Sequence, residues 1–344
     1  LGGVLALSLI GAITGSVSIE ILNRQVNVTT KLVAVSTVVL VWLAGYGLHS
    51  IAWTKPVEKP LTLALIQPAL TPSQKWASDS LYNTLVLLRD LSDGHWQKDL
   101  VIWPESAIPT MCEDVEPFID FIEEITAESG KTFITGIPIK EAGKYYNGVI
   151  VLGNGDGEYR KRHLVPFGEY LPLDSVLRGI INFFNRPMSS FSGGPDDQPL
   201  LRAGNTAIAT AICYEIVYQD LVSSSAKDAE VILTLSNDIW FGDSIAPHQH
   251  LQMARLRAIE NGKPVIRDTN DGITAVIDAH GHITHKLPQF NAGTLEAEVL
   301  PYRGNTPFNW VGSWPVILVC LAIFGWGVST RSSIWVARRR KSDV

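Results

Sequence analysis

Long runs of apolar residues stand at both ends of the chain, and a different pattern fills the middle. The runs cover residues 1–19, 32–51 and about 310–330, and none of them contains Asp, Glu, Lys or Arg. A helix of about 20 mostly apolar residues is long enough to cross the hydrocarbon core of a bilayer. A buried core helix is the alternative for each run, but runs this long and uncharged are uncommon in soluble domains. The pattern therefore predicts three membrane-spanning helices.

Basic residues indicate how these helices are oriented. Arg24 and Lys31 lie between the first and second runs, and a cluster follows the third: Arg338, Arg339, Arg340 and Lys341. Lys and Arg next to a span are retained on the cytoplasmic side, so both clusters predict the same topology. We expect transmembrane helices within residues 1–54, an extracytoplasmic domain over 55–309, a transmembrane helix over 310–330 and a basic cytoplasmic tail over 331–344.

The middle of the chain alternates short apolar stretches with amphipathic ones. The spacing predicts strands over residues 61–66, 100–103, 132–137, 148–152, 207–213, 231–235 and 273–277. It predicts helices over residues 81–91, 117–129 and 248–261. Such alternation indicates an α/β fold, in which polar residues at the carboxyl ends of strands gather at one edge and form the site.

Composition supports a membrane protein and excludes one class of partner. Charged residues make up 18% of the chain, compared with about 25% in typical soluble domains. The net charge is −6, and the sequence indicates no basic face outside the C-terminus. Phosphate backbones are bound by clustered basic residues, so we expect no nucleic-acid partner.

Three polar residues follow apolar stretches and could form an acyl-transfer site. Cys213 ends a strand-like segment, Glu105 follows another, and Lys161 comes before Leu-Val-Pro-Phe-Gly-Glu. A free thiol has a pKa near ~8.5 and becomes a nucleophile with the help of a base or a positive neighbour. Glu105 could take the proton, and Lys161 could stabilise the negative charge that develops on an acyl oxygen.

Each of these residues also has a structural interpretation. An isolated cysteine is usually a small core residue, and single Glu and Lys residues are usually solvated. In an oxidising compartment Cys112 and Cys213 could instead form a disulfide, which would remove the nucleophile. His248 and His250 have a spacing typical of neither one helix face nor a metal site, so we interpret them as part of a helix start and expect no metal.

The motifs around the three residues resemble the nitrilase superfamily and, within it, the apolipoprotein N-acyltransferases. They are Trp-Pro-Glu-Ser at 103–106, Lys161 with Leu-Val-Pro-Phe-Gly-Glu at 164–169, Cys-Tyr-Glu at 213–215 and Ser-Asn-Asp-Ile-Trp-Phe-Gly at 236–242. The resemblance covers residues 61 to about 301 and extends to the flanking membrane segments. It implies an αββα sandwich attached to a helical transmembrane domain, with Glu105 as general base, Lys161 as oxyanion-stabilising cation and Cys213 as nucleophile.

The resemblance also implies a reaction and supporting residues. Cys213 would take an acyl chain from a membrane phospholipid, expected to be phosphatidylethanolamine, and pass it to the N-terminal amine of S-diacylglyceryl-cysteine in an apolipoprotein. No cofactor is implied. Glu169 and Glu215 would orient Lys161 or assist proton transfer, and Tyr214 would shape the pocket or donate its backbone N–H. Trp76 matches a loop aromatic near the acyl site, although it could instead anchor the chain at the membrane interface.

The implied location is the bacterial inner membrane, with the catalytic domain on the extracytoplasmic side. Relatives have more N-terminal helices, so we expect the chain to lack part of that region. Two other functions remain open. A membrane-anchored amidase or nitrilase would give the thioester to water, and a non-catalytic membrane module would keep only the fold.

Overall fold

The computed structural model describes residues 2–75, 80–170, 172 and 191–342, with side chains up to residue 330. These residues form two units. One comprises Leu1–Trp53 together with Thr306–Val344, and the other is Thr54–Asn305.

The first unit is helical. Helices α1 (Gly3–Leu22) and α2 (Val28–Leu48) are long and apolar enough to cross a membrane, and neither has a buried residue. The side chain of Asn27 caps α2 by accepting from the Thr30 N–H at 2.8 Å. The Trp42 indole donates to the Thr14 hydroxyl at 3.2 Å and joins the two helices.

The C-terminal helix has different limits from those predicted. A short helix, Pro307–Val311, ends at Gly312, whose φ is +58°, and the long helix Trp314–Ser342 follows. Its apolar part, Trp314–Thr330, has 17 residues rather than the 21 of the predicted 310–330 segment. Glycine adopts a positive φ more readily than other residues, and Gly312 here separates the first residues of the predicted span from the rest.

The second unit contains two sheets. The six-stranded sheet consists, in spatial order, of β14 (Gly293–Val299), β2 (Leu61–Gln67), β3 (Leu100–Trp103), β4 (Thr132–Glu141), β5 (Lys144–Gly153) and β7 (Glu158–Arg160). The seven-stranded sheet consists of β13 (Ile283–Lys286), β12 (Ala275–Ile277), β11 (Val265–Thr269), β10 (Val231–Ser236), β9 (Thr206–Ile212), β8 (Leu201–Ala203) and β6 (Gly155–Asp156). Strands β1 (Thr54–Pro56) and β15 (Tyr302–Gly304) form a separate antiparallel pair.

Alternating side chains on the strands build three apolar layers. One face of each sheet contributes to a core between the sheets, which includes Leu65, Ile102 and Leu233. A one-turn helix, α3 (Pro72–Lys75), precedes the two helices that pack against the outer face of the six-stranded sheet, α4 (Leu81–Ser92) and α5 (Glu116–Ser129). The outer face of the other sheet packs against α6 (Gln219–Ala226) and α7 (Ala246–Asn261). The predicted αββα sandwich is therefore confirmed.

Parallel pairing in the centre of each sheet positions the site. Strands β2, β3 and β4 run parallel in one sheet, and β9, β10 and β11 run parallel in the other. Glu105 follows β3, and Cys213 follows β9. The predicted strand over 207–213 ends one residue early, because Cys213 begins a short 3-10 helix, Cys213–Val217.

Candidate active site

Glu105 lies in a tight turn directly after β3. Only 7% of the residue is exposed, and the next residue, Ser106, has a φ of +46°. The turn lies against Gly136 of β4. A Cβ atom on Gly136 would come within 2.7 Å of the Glu105 Cα. Glycine at this position therefore lets the backbone that carries the carboxylate approach the sheet.

Lys161 follows β7 and is almost completely buried. Its Nζ donates to Glu169 Oε1 at 2.8 Å and lies 3.5 Å from Glu105 Oε1. Burial by itself would lower the pKa of Lys161, but the Glu105 and Glu169 carboxylates outweigh it and raise that pKa. Lys161 is therefore a fixed cation between two carboxylates, and it is suited to stabilising an oxyanion.

Asn147 of β5 connects those two carboxylates, and the sequence analysis did not identify it. Its Nδ2 donates to Glu105 Oε1 at 2.8 Å and to Glu169 Oε1 at 2.9 Å. Its Oδ1 is buried and has no hydrogen-bond partner among the described residues. An amide in the middle of an apolar strand is the signal that could have drawn attention to Asn147, because buried polar groups are normally paired.

Cys213 sits at the end of β9 in a left-handed conformation, with φ +50°. Burial is the main cause that raises the pKa of its thiol to about 12, and the Glu105 charge adds to it. The Lys161 charge acts in the opposite direction. The thiol is therefore protonated at neutral pH, and it would need a base to become a nucleophile.

Glu215 and Glu169, which the sequence analysis grouped together, have different surroundings. The buried Glu215 carboxylate accepts from the Ile212 N–H at 2.8 Å, the Arg162 N–H at 2.7 Å, the His163 N–H at 3.1 Å and the Tyr159 hydroxyl at 2.9 Å. Burial raises the pKa of Glu215 despite these donors. Glu215 thus ties the segment after Lys161 to the Cys213 turn, whereas Glu169 contacts the Lys161 ammonium itself.

Tyr214 follows the nucleophile directly and is partly exposed. The residue is 37% exposed, and its ring packs edge-on against Tyr218 with ring centroids 5.2 Å apart. Its role at the pocket stays a prediction. Trp76 lies outside the described residues.

The disulfide alternative is wrong in this structure. Cys112 and Cys213 are both free thiols. Cys112 packs on the outer face of the six-stranded sheet, and Cys213 packs against the core between the sheets. A layer of β-structure separates the two thiols, although only seven residues separate Glu105 from Cys112 in sequence.

A buried polar group behind Cys213 was also missed. His250 is not at the start of α7 but in its second turn, where its Nε2 lies 3.0 Å from the Cys213 carbonyl oxygen. Its Nδ1 faces Asp238 at 3.1 Å, and Arg267 donates to the other Asp238 oxygen at 2.6 Å. Helical spacing is the sequence signal that could have indicated a buried His250, because His250 shares a face of the helix with Ala254 and Asn261, and all three are buried. Among the described residues, no group of three His, Cys, Asp or Glu side chains is placed to hold a metal ion.

Comparison with known proteins agrees with this geometry. The family described as carbon-nitrogen hydrolase matches residues 62–303. The apolipoprotein N-acyltransferase of Pseudomonas syringae pv. tomato is 46% identical over 292 residues, which are 83% of this chain and 58% of that protein. The Pseudomonas putida apolipoprotein N-acyltransferase is 43% identical over 334 residues, which are 95% of this chain and 66% of that protein. The chain thus spans less than two thirds of the length of these curated relatives, and its resemblance to them is confirmed.

Solved structures share the fold at low identity. A carbon-nitrogen hydrolase from Helicobacter pylori G27 has a TM-score of 0.53 and 20% identity, covering 70% of this chain and 88% of that chain. The Caenorhabditis elegans NitFhit protein has a TM-score of 0.55 and 16% identity, covering 70% of this chain and 61% of that chain. The family match covers more than half of the residues, and the two-sheet sandwich is the same. The chain belongs to the carbon-nitrogen hydrolase family.

Proposed function

We propose that this protein is an apolipoprotein N-acyltransferase that works through a thioester on Cys213. One observation carries the proposal: the half-buried Cys213 thiol is influenced by an ion pair, in which the Lys161 ammonium lies 3.5 Å from the Glu105 carboxylate. The similarity to curated apolipoprotein N-acyltransferases supports the choice of acyl donor and acceptor. The proposed donor is a membrane phospholipid, with phosphatidylethanolamine expected, and the proposed acceptor is the α-amine of an S-diacylglyceryl-cysteine.

In the first half-reaction the thiol attacks the ester carbonyl of the phospholipid. Glu105 takes the thiol proton as the Sγ–carbon bond forms, and the carbonyl oxygen becomes an oxyanion. The Lys161 ammonium group and the Tyr214 N–H stabilise that charge. When the intermediate collapses, the ester C–O bond breaks, and Glu105 returns the proton to the leaving lysophospholipid. The enzyme is left as a Cys213 thioester.

In the second half-reaction the acceptor amine attacks the thioester carbonyl. The amine is nucleophilic only when neutral, and Glu105 removes the proton that it loses as the C–N bond forms. The same donors hold the second oxyanion. The C–S bond then breaks, and the proton returns from Glu105 to the thiol, which regenerates the starting state.

The proposal includes a location in the bacterial inner membrane with the catalytic unit on the extracytoplasmic side. Helices α1 and α2 are apolar enough to span the bilayer, and the basic clusters support the orientation. Both substrates are lipids, and exposing an acyl chain to water costs about 0.8 kcal/mol per CH₂. Catalysis at the membrane surface avoids most of that cost.

Intact-mass analysis tests the proposal. Wild-type protein incubated with phosphatidylethanolamine of defined chain length should gain the mass of one acyl group, and neutral hydroxylamine should remove it. Cys213→Ser should gain no hydroxylamine-labile adduct, whereas Cys112→Ser, the matched control, should behave as wild type.

Adding the acceptor then separates the alternatives. A diacylglyceryl-cysteine peptide should discharge the thioester and become N-acylated, with little loss of the acyl group when the peptide is absent. Rapid discharge to water without the peptide would indicate a hydrolase instead. Absence of any adduct on the wild type would refute acyl transfer from phospholipid.

A further inference from the structure

A chain of buried polar groups ends on the backbone of the nucleophile. It runs from Arg267 to Asp238 at 2.6 Å, from Asp238 to His250 at 3.1 Å and from His250 to the Cys213 carbonyl oxygen at 3.0 Å. Asp238 and Arg267 are fully buried, and His250 is 6% exposed. Burial would raise the pKa of Asp238, but Arg267 and His250 outweigh it and hold that pKa at about 2.

The direction of the last hydrogen bond follows from chemistry. A carbonyl oxygen can only accept, so His250 Nε2 must carry the hydrogen and donate it. The Nδ1 edge faces Asp238 Oδ1 and also Arg267 Nη2, at 3.3 Å. Nδ1 can form a hydrogen bond with only one of these two neighbours, by donating to Asp238 or by accepting from Arg267, and either bond fixes the ring plane. The ring in turn holds one particular oxygen, that of the Cys213–Tyr214 peptide.

That peptide needs to be held. Cys213 has a φ of +50°, which an L-residue with a side chain seldom adopts and which strains the backbone. Rotation of the peptide would redirect both the Cys213 carbonyl and the Tyr214 N–H, since the two lie in one plane. In the proposed mechanism this N–H points at the acyl oxygen, where an error in aim weakens oxyanion stabilisation.

We infer that His250 is a positioning residue for acyl transfer. Through its hydrogen bond to the Cys213 carbonyl it fixes the plane of the Cys213–Tyr214 peptide, and it thereby aims the Tyr214 N–H at the oxyanion. The bond also polarises the peptide, because hydrogen bonds in a buried chain strengthen one another. Asp238 and Arg267 orient the ring. This role rests on the proposed acyl chemistry of Cys213.

Two substitutions at one position test the role. In His250→Gln the amide nitrogen can reach the place of Nε2 and keep the bond to Cys213, whereas the shorter Asn side chain of His250→Asn cannot. Two rates are measured on the full chain: acylation of Cys213 by p-nitrophenyl butyrate, followed as a burst, and alkylation of Cys213 by iodoacetamide. Only the first reaction forms an oxyanion, so it alone depends on the Tyr214 N–H.

The expected result is a selective loss. His250→Asn should lower the acylation rate by about 100-fold, the usual effect of losing one oxyanion-hole donor, and leave alkylation close to wild type. His250→Gln should recover most of the acylation rate. The control is His282→Asn, which alters another His–Asp pair, 3.1 Å apart but with its imidazole 75% exposed, and it should change neither rate.

Other outcomes separate the two proposals. Equal losses of acylation and alkylation in His250→Asn, or equal acylation rates in the Gln and Asn variants, would overturn the positioning role and leave the thioester mechanism intact. A wild type that is alkylated at Cys213 but accepts an acyl group from neither p-nitrophenyl butyrate nor phospholipid would overturn the proposed function itself.

Discussion

At the scale of single residues, the site combines one half-buried thiol, Cys213, with two opposite charges that act on its pKa. Burial and the Glu105 carboxylate raise the pKa of Cys213, and Lys161 lowers it. The net effect keeps the thiol protonated and unreactive towards stray oxidants and electrophiles, because the thiolate is the reactive form. In the proposed mechanism activation requires proton transfer to Glu105, which couples nucleophile formation to catalysis.

The two charges should have opposite effects on thiol reactivity. Glu105→Gln removes a negative neighbour, so the pKa of Cys213 should fall and alkylation by iodoacetamide should begin at lower pH than in the wild type. Lys161→Met removes the positive neighbour and should move the profile to higher pH. Both variants should lose acyl transfer, Glu105→Gln by about 10²- to 10⁴-fold, because general-base catalysis contributes that much.

The measurement is the pH–rate profile of Cys213 alkylation, followed by mass mapping and carried out in a Cys112→Ser background. The wild-type rate should still rise above pH 9, since the thiol pKa is raised to about 12. Shifts of the same sign in the Gln and Met variants would contradict the proposed arrangement of charges.

Changing each of the two supporting carboxylates, Glu215 and Glu169, to the amide should have different effects on stability and on the acyl-transfer rate. Glu215 accepts from donors at both of its oxygens, so Glu215→Gln leaves at least one buried donor without an acceptor and should cost about 1–3 kcal/mol of stability. Glu169 also accepts at both oxygens, from Asn147 and Lys161 at Oε1 and from the Val165 N–H at Oε2, but its side chain is 14% exposed, so water can reach a donor that Glu169→Gln leaves unpaired. The change removes the charge paired with Lys161. It should mainly lower the acyl-transfer rate.

Chemical denaturation and the p-nitrophenyl butyrate burst, measured on both variants, check this difference. The stability loss should be larger in Glu215→Gln, and the loss in burst rate per folded molecule should be larger in Glu169→Gln. The reverse order would show that Glu215 rather than Glu169 controls the lysine.

At the scale of secondary structure, the period of the apolar residues was sufficient for most elements. All seven predicted strands and all three predicted helices are present. Strand β14 was missed, although Leu295, Ala297 and Val299 alternate with exposed glutamates. Strand β11 was missed for a physical reason. Its Arg267 and Asp268 are charged but completely buried, which a hydrophobic pattern cannot indicate.

The sequence predicted only those residues of the candidate site that lie in or next to a recognisable motif. Glu105 and Cys213 follow recognisable apolar strands, and Lys161 comes before the motif Leu-Val-Pro-Phe-Gly-Glu. Asn147 and His250 instead act through partners that are distant in sequence. Asn147 is 42 residues from Glu105, and His250 is 37 residues from Cys213. Such pairs become neighbours only when the strands and helices pack, so their spacing along the chain carries no signal.

The approach of β4 to the Glu105 turn gives a prediction at this scale. Gly136→Ala would place a Cβ 2.6 Å from the Pro104 carbonyl oxygen, so the turn must shift. We expect a stability loss of about 1–3 kcal/mol from overpacking and a reduced acylation rate, because Glu105 moves with the turn.

The matched control is Gly293→Ala, at the first residue of β14, where a Cβ meets nothing within 4 Å. This variant should have the stability and acylation rate of the wild type. The melting temperature and the rate of the p-nitrophenyl butyrate burst are measured for both variants and compared with those of the wild type. A Gly136→Ala variant with an unchanged burst rate would mean that Glu105 tolerates displacement.

At the scale of the whole molecule, the chain contains an α/β sandwich unit and two N-terminal helices, α1 and α2, that have no buried residues. The residues of α1 and α2 are apolar but unburied within the protein, so a surrounding lipid phase is the natural solvent for them. The basic residues indicate how the helices are oriented across the membrane. Arg24 lies between α1 and α2, and the Arg338–Lys341 cluster lies beyond the last apolar stretch.

This distribution predicts which parts face the cytoplasm. In a variant without the native cysteines, Cys112, Cys213 and Cys320, a single thiol introduced by Asp197→Cys should react with a membrane-impermeant maleimide in intact spheroplasts. Asp197 is exposed in the sandwich unit, and Gln25 is exposed in the loop between α1 and α2. Gln25→Cys should react only after the membrane is permeabilised. The positive-inside rule places the loop between α1 and α2 in the cytoplasm and the sandwich unit on the other side of the membrane. Labelling of Gln25→Cys in intact spheroplasts would therefore contradict the topology, and with it the extracytoplasmic placement of Cys213.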